Sequence, residues 1–334
     1  MKTICPRRVG ITELLLRDGL QNEKRTMPTK SKLFFARKFA EIGFREIEIG
    51  SFAHPHYLPQ YRDIEELLRM FHELDLDKKP ILKALTTTRK AVERAIQSKK
   101  NGYPPDKLAY IISSSEEHNK INIKRDWNTT FTEFEDIANI ARNSGLDIIV
   151  ELCTVFGCPI SRRRVPFENS FRLIDRLLKI GINEIIPCDT TGEATPEIVY
   201  EYYSELRKRY PDQNVHHAHF HNNRGVAAAN FYAALQAGVD HIETSLGGIG
   251  GQPAYIVDNV PGLGTGKRYT ASDFNGNTST EDMVVMLDGI GIQTDLDIDL
   301  LLETGNILEE VLGRQLHSYS IKTGKFYSAD KECK

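Results

Sequence analysis

Short apolar or β-branched runs alternate along the chain with longer segments in which apolar residues recur at spacings of three and four. The short runs are typical of buried strands, and the longer spacing is typical of amphipathic helices. The pattern predicts eight strands, at 9–16, 46–52, 81–88, 107–115, 147–156, 184–191, 214–222 and 240–247. The helices predicted between them include 30–43, 166–180, 195–209 and 224–238.

Eight strand–helix units in a chain of 334 residues predict an α/β fold, a (β/α)8 or TIM barrel. A doubly wound open sheet is the alternative, but no glycine-rich phosphate fingerprint follows the first strand. We expect a single domain over residues 1–334, with the barrel at about 9–292. A C-terminal helical tail at about 293–334, with a helix at 299–314, is expected outside the barrel.

Composition and charge limit the kinds of molecule and the cellular location that we expect for the protein. The formal net charge of -3 gives no indication of nucleic-acid binding. No apolar run approaches the roughly 18–20 residues of a membrane span, and the first residues lack an apolar signal core. The five cysteines are an odd number for a large chain, which favours a reducing cytoplasm.

Charged residues follow the predicted strands where a barrel would place its active site, at the carboxyl ends of the strands. In "LLLRDG" (14–19), three leucines look like the buried end of the first strand, and two opposite charges follow them. The residues predicted to meet at this mouth are Arg17, Asp18, Glu48, Ser51 and Asp189.

The seventh strand carries "HAHFHNN", which places His217, His219 and His221 at alternate positions. Side chains two apart on a strand point the same way, so a His-x-His pair can bind one metal ion. Asn277, in "FNGNTSTED", is a candidate amide donor, although it also suits a turn or a helix cap. One carboxylate, two imidazoles, an amide oxygen and water suit a six-coordinate divalent ion, Mg²⁺ or Mn²⁺, with Zn²⁺ as the alternative.

Several motifs occur in an order that identifies a family. They are "RDGLQNE" (17–23), "IEIGSF" (47–52), "SSSEEHNKIN" (113–122), "CTVFGCP" (153–159), "DTTG" (189–192), "HFHNNRG" (219–225), "SLGGIGG" (245–251) and "GNTSTEDMVVML" (276–287). Over roughly residues 9–305 the chain resembles 3-hydroxy-3-methylglutaryl-CoA lyase and its relatives among the metal-dependent TIM-barrel lyases. The first motif is closer to the lyases than to the related synthases, which usually read "RDGEQ".

The resemblance implies roles for individual residues. It implies a divalent metal ion bound by Asp18, His219, His221 and Asn277. Arg17 would stabilise a developing enolate oxygen, and Glu48 would contact the metal or its water. Gln21, Ser51 and Asp189 match active-site positions whose roles are less defined. By analogy with the family we also expect a homodimer.

The chain departs from the family after the eighth strand. The lyases read "GGCP" there, with a cysteine regarded as a catalytic acid or base on a flexible loop, whereas this chain reads "GGQP". Gln252 cannot exchange a proton near neutral pH, so we assign it to substrate contact. The residues after it, 254–274, form a long glycine-containing segment that predicts either a lid over the substrate or a tolerated surface insertion.

Several side chains are candidates for the missing acid. They are Tyr255, Asp258, Lys267 and Tyr269 in segment 254–274, and His54 and His56 after the second strand. Cys158 matches a lyase motif position that is not assigned to catalysis, so it is predicted to be a structural neighbour of the site.

Three functions fit these observations. The first is a metal-dependent carbon–carbon lyase that performs retro-Claisen or retro-aldol cleavage of a 3-hydroxy acyl-CoA or a related 3-hydroxy acid, and the lyase-like first motif favours it. The second is a condensing enzyme or aldolase that joins an acyl donor such as acetyl-CoA to a 2-oxo acid, which the absence of the cysteine favours. The third is a non-catalytic barrel that binds a small ligand.

Overall fold

A closed barrel of eight parallel strands forms the centre of the protein. The computed structural model describes residues 5–23, 25–251 and 276–327, and the backbone of 256–257 and 267–268. The strands are β1 (Gly10–Glu13), β2 (Glu46–Ser51), β3 (Ile81–Leu85), β4 (Lys107–Ser113), β5 (Asp147–Cys153), β6 (Ile185–Asp189), β7 (His217–Phe220) and β8 (His241–Thr244). Each strand pairs with the next along the chain, and β8 pairs with β1 to close the barrel. The TIM-barrel prediction is confirmed.

Helices connect the strands and continue beyond them. They are α1 (Thr29–Ile42), α2 (Ile64–His72), α3 (Arg89–Lys100), α4 (Glu116–Asn122), α5 (Trp127–Asn143), α6 (Phe167–Lys179), α7 (Pro196–Arg209), α8 (Ala227–Gln236), α9 (Thr280–Gly289), α10 (Ile298–Leu312) and α11 (Ser320–Thr323). Within the described ranges, no helix combines the length and apolar character needed to span a bilayer.

The first strand is shorter than its sequence predicts, because it ends at Glu13 instead of residue 16. The chain then forms a wide, π-helical turn over Leu15–Gly19, in which the Gly19 N–H donates to the Leu14 carbonyl at 3.1 Å. The Glu13 carboxylate accepts the Leu15 N–H at 2.9 Å and so turns the backbone out of the strand. The leucines are still buried, but the charged pair after them lies on a turn of a kind that is frequent at functional sites.

The interior of the barrel has an apolar side. The residues that pack together there come from four adjacent strands, β3 to β6, and are Leu85, Ala109, Ile149, Ile186 and Cys188. Two of the same strands also carry buried charges, since Lys83 lies two residues before Leu85 on β3 and Glu151 two residues after Ile149 on β5. The barrel interior therefore combines an apolar cluster with buried charges.

Residues after α10 contact a loop at the carboxyl ends of the barrel strands. After α10, the His317 N–H donates to the Gly247 carbonyl at 3.0 Å. Gly247 belongs to the short turn Leu246–Gly248 that follows β8, and a Cβ at this glycine would overlap the Leu316 side chain. The segment after α10 therefore packs against the turn Leu246–Gly248.

Part of the predicted lid lies outside the described residues. Within segment 254–274, Ile256–Val257 pairs with Lys267–Arg268 as an antiparallel two-stranded sheet. Gln252, Tyr255, Asp258 and Tyr269 fall outside the described residues, and only the backbone of Lys267 is described. The roles predicted for these side chains stay predictions.

Candidate metal and active site

The Arg17 side chain is held by three carboxylates. Its Nε atom donates to Glu48 Oε2 at 2.7 Å, Nη1 to Asp18 Oδ1 at 2.8 Å, and Nη2 to Glu151 Oε2 at 2.8 Å. The residue is only 5% exposed. A guanidinium carries five N–H donors, so two remain for a further partner. Arg17 is thus fixed in position while still able to donate.

A second buried cation lies deeper in the barrel. Lys83 Nζ lies 3.2 Å from Glu151 Oε1 and also contacts Glu243. Burial raises the pKa of Glu48, the partner of Arg17, to about 8. Glu48 is then mostly protonated at neutral pH, and the carboxylates of Asp18, Glu151 and Glu243 exceed the two cations by one negative charge. This excess of negative charge favours a bound cation.

The sequence analysis assigned no role to Lys83, Glu151 and Glu243, because it expected functional charges only at the carboxyl ends of the strands. All three lie inside strands, within "ILKAL", "DIIVELC" and "HIET". Charged residues are rarely buried without a partner, and a barrel interior is normally filled by branched apolar side chains. A charge within each of three barrel strands was therefore the signal that could have identified this network.

Three potential metal ligands converge beside Arg17. Ligand atoms of Asp18, His219 and His221 all lie within 4.8 Å of one another, and all three residues are buried. Burial opposes ionisation of Asp18, but Arg17 and then His221 hold the pKa of this carboxyl well below its usual range. Asp18 is therefore an anion at neutral pH, as a metal ligand must be.

The two histidines are oriented by hydrogen bonds from their Nδ1 atoms. His219 Nδ1 lies 3.0 Å from Glu243 Oε2, and His221 Nδ1 donates to the Thr190 carbonyl. A carboxylate and a carbonyl oxygen can only accept, so Nδ1 carries the proton in both rings. In both neutral rings Nε2 then has the lone pair that a metal ion requires.

Asn277 is the fourth residue predicted to bind the metal ion. Its Nδ2 atom donates to Asp18 Oδ2 at 2.7 Å and to the Ile249 carbonyl at 3.2 Å. Its Oδ1 atom is buried, and no donor reaches it within the residues that the structure describes. A buried acceptor without a partner is costly, and a cation bound there would satisfy it. The donor atoms and the excess negative charge both fit a divalent metal ion.

Two other predicted site residues contact the local backbone. Asp189 accepts the backbone N–H groups of Glu193 at 2.8 Å and Ala194 at 2.9 Å, and burial raises its pKa to about 6. Ser51 Oγ donates to the Leu85 carbonyl at 3.3 Å. The structure thus places both side chains where they hold loops at the mouth, and their predicted contact with substrate stays a prediction.

A cavity of about 650 Å³ opens above the cluster. Its polar side includes Arg17, Asp18, Gln21, Glu151, His219 and His221. Its apolar side includes Leu85, Ile111, Cys153 and Cys188, and its rim includes His54, Tyr57, Lys124 and Arg125. Of the histidine candidates for the missing acid, His54 contributes to the lining. Cys158 is buried, and its Sγ accepts a hydrogen bond from Ser115 Oγ at 3.0 Å.

Comparison with known proteins agrees with this geometry. The model of the HMGL-like family matches residues 8–308. The chain belongs to the HMGL-like family. The family resemblance noted in the motifs is therefore confirmed over most of the chain.

Two similar proteins are lyases. This HMGL-like protein is 32% identical to hydroxymethylglutaryl-CoA lyase of Bacillus subtilis, over 96% of this chain and 98% of the relative. It is 31% identical to (R)-citramalyl-CoA lyase of Chloroflexus aurantiacus, over 96% of each chain. The prediction that the protein is an enzyme of the lyase class is confirmed.

Solved structures show the same similarity. The Bacillus subtilis HMG-CoA lyase superposes with a TM-score of 0.84, at 32% identity, covering 96% of this chain and 98% of that one. An HMG-CoA lyase from Acinetobacter baumannii, in complex with coenzyme A and 3-methylmalate, superposes with a TM-score of 0.82, at 30% identity and 95% coverage of each chain.

Proposed function

We propose that this HMGL-like protein is a divalent-metal-dependent lyase that cleaves the carbon–carbon bond next to a 3-hydroxyl group in a CoA thioester. The observation that carries the proposal is the cluster of Asp18, His219 and His221 beside a fixed arginine, with Asn277 bonded to Asp18 and its own buried oxygen without a partner among the described residues. The names of the relatives support the thioester class of substrate.

Asp18, His219, His221 and Asn277 would hold the metal ion. Bound there, it would supply Lewis acidity toward the hydroxyl and carbonyl oxygens of the substrate. The carboxylate and amide oxygens suit Mg²⁺ or Mn²⁺, which we propose, whereas the two imidazoles also suit Zn²⁺, the alternative.

Arg17 would stabilise the charge that develops in the reaction. The hydroxyl group loses its proton, its C–O bond becomes a carbonyl, and the electron pair of the broken C–C bond forms the enolate of the thioester. The enolate then takes up a proton at carbon. The two unused N–H groups of Arg17 are fixed by its carboxylate partners, and a fixed donor at such an oxygen is worth about 3 kcal/mol.

The group that delivers the proton is proposed to differ from the loop cysteine of the lyases, because Gln252 occupies that position. Among the candidates, His54 is supported by its place in the cavity wall. Its Nδ1 accepts the His56 backbone N–H at 3.2 Å, so in the neutral ring Nε2 carries the proton and can donate. We further propose a homodimer, by family analogy, and a reducing cytoplasmic location, from the free thiols of the described residues.

Metal content and turnover, measured on the same preparation, test the proposal. Purified protein would be analysed for Mg, Mn and Zn and then given 3-hydroxy-3-methylglutaryl-CoA and citramalyl-CoA. We expect metal-dependent release of acetyl-CoA, and loss of both metal and turnover in Asp18→Asn. Bound metal without cleavage of either thioester, but with condensation of acetyl-CoA and a 2-oxo acid, would replace the lyase by the condensing enzyme.

A further inference from the structure

Two cysteines lie side by side on adjacent barrel strands. Cys153 is the last residue of β5, and Cys188 precedes the last residue of β6. Leu152 pairs with Pro187, so the parallel register brings Cys153 beside Cys188. Adjacent strands are about 4.8 Å apart, within the range of about 4.4–6.8 Å between Cα atoms that a disulfide requires.

Both thiols belong to the wall of the substrate cavity. Each residue lines the cavity, and they are 8% and 4% exposed, respectively. Burial, and then the side-chain interaction with Cys153, raise the pKa of Cys188 well above its usual value. Cys188 therefore remains a thiol at neutral pH, beside Cys153 in the register of the two strands and within reach of a small molecule that enters the cavity.

We propose that Cys153 and Cys188 form a dithiol site that binds thiophilic reagents and closes reversibly to a disulfide. With hydrogen peroxide as oxidant, the Cys153 sulfur attacks the peroxide, becomes a sulfenic acid and releases one water molecule. The Cys188 thiol then displaces the hydroxyl group as a second water molecule. In total, two thiol protons and two electrons have passed to the peroxide, and a dithiol reductant reverses the change.

The position of the pair connects it to the reaction. Glu151, which holds Arg17, lies two residues before Cys153 on the same strand and lines the same cavity. A bridge between the thiols, or an arsenic atom bound to both, changes the wall that faces the substrate. This effect on turnover rests on the proposed function, whereas the dithiol chemistry does not.

Phenylarsine oxide tests the site directly, because a trivalent arsenical bridges two thiols only when they are close. The native full-length protein would be treated with one equivalent, and the adduct counted by intact mass. We expect one adduct in the wild type that survives a monothiol wash and is lost in Cys153→Ser and Cys188→Ser. The matched control, Cys158→Ser, removes a buried cysteine outside the cavity lining and should keep the adduct.

Peroxide provides the second test. We expect a disulfide that joins Cys153 and Cys188, identified by peptide mass spectrometry and removed by dithiothreitol. Peroxide should also lower the turnover of the wild type at least tenfold and leave Cys188→Ser much less affected. An adduct that persists in Cys188→Ser, or a native wild type that forms neither adduct nor disulfide, overturns the inference. If arsenic or a disulfide joins the two cysteines in a protein that cleaves no thioester, the dithiol site stands and only the proposed function is overturned.

Discussion

His219 and Glu243 are joined inside the barrel by a hydrogen bond of 3.0 Å between Nδ1 and Oε2. The same carboxylate contacts Lys83, so the orientation of a proposed metal ligand depends on an ion pair deeper in the barrel. Burial would lower the pKa of His219, but the bond to Glu243 raises it overall. The carboxylate thus makes the imidazole a more basic ligand.

Replacing Glu243 should therefore weaken metal binding without removing any proposed ligand. We expect Glu243→Gln to lower the metal affinity by about 10–100-fold, since outer partners of metal-bound histidines have effects of this size. Affinity would be measured by competition with a chromophoric chelator. Glu184→Gln is the matched control, because Glu184 also pairs with a lysine, the half-buried Lys107, but contacts none of the proposed ligands. Equal affinities in the two variants would contradict the prediction.

Arg17→Lys should reduce turnover while leaving the metal bound. Lysine retains the charge but cannot reach three carboxylates and a substrate oxygen with one ammonium group. We expect kcat to fall by about 10²–10³-fold, the usual effect of losing a fixed donor at a developing oxyanion. Arg8→Lys, at an exposed ion pair with Asp295, should be neutral. A kcat within threefold of the wild type would exclude the proposed role.

Gly250 packs against the backbone of Asp18, a residue of the proposed metal site. Its φ of +91° favours glycine, and a Cβ there would overlap the Asp18 carbonyl. Gly102 has a similar φ of +94° with open space around it, which makes Gly102→Ala a control for backbone strain alone. We expect Gly250→Ala to lower the free energy of unfolding by about 1–3 kcal/mol more than the control, measured with urea, and to lower the bound metal content. Equal decreases in the free energy of unfolding of the two variants would show that the backbone at Asp18 moves easily to make room for the added Cβ.

His217 should make the protein less stable in acid. Its ring stacks on that of His241, with centroids 4.6 Å apart, and burial, followed by His241, lowers the pKa of His217 to about 3. Between the ordinary value of 6.5 and about 3, the unfolded chain binds a proton that the folded protein does not. The free energy of unfolding therefore decreases as the pH falls from 6.5 to about 3. This group contributes a decrease of up to about 1.4 kcal/mol per pH unit.

Urea unfolding at pH 7 and pH 5 measures this effect. We expect His217→Gln to show a shallower loss of stability over that interval than the wild type. His56→Gln, at an exposed histidine, is the matched control and should keep the slope of the wild type. A His217→Gln slope that equals the wild-type slope would mean that other groups cause the acid sensitivity.

The sequence predicted the barrel because periodicity is local, and each strand–helix unit carries its own pattern. It predicted the convergence of Asp18, His219 and His221 because the fold brings strand ends together. The early end of β1 could not be predicted, since it depends on Glu13, whose carboxylate also accepts the backbone N–H of Leu246, far along the chain, at 2.8 Å.

The buried ion pairs of Lys83 with Glu151 and Glu243 were not predicted, for a related reason. Whether Lys83 is a buried partner or a surface charge depends on the direction of its side chain, and "ILKAL" alone does not fix that direction. Its carboxylate partners, Glu151 and Glu243, come from strands that are distant in sequence, so only the closed barrel shows that they meet.

The sharing of carboxylates inside the barrel also restricts how this site can evolve. Glu151 contacts both Arg17 and Lys83, so the loss of either cation leaves buried carboxylate charge without compensation. Such a loss typically costs several kcal/mol, whereas coordinated replacement of all partners can be neutral. These positions should therefore be inherited as a set, and new substrate preferences in descendants of this protein should arise first in the apolar wall and the loops.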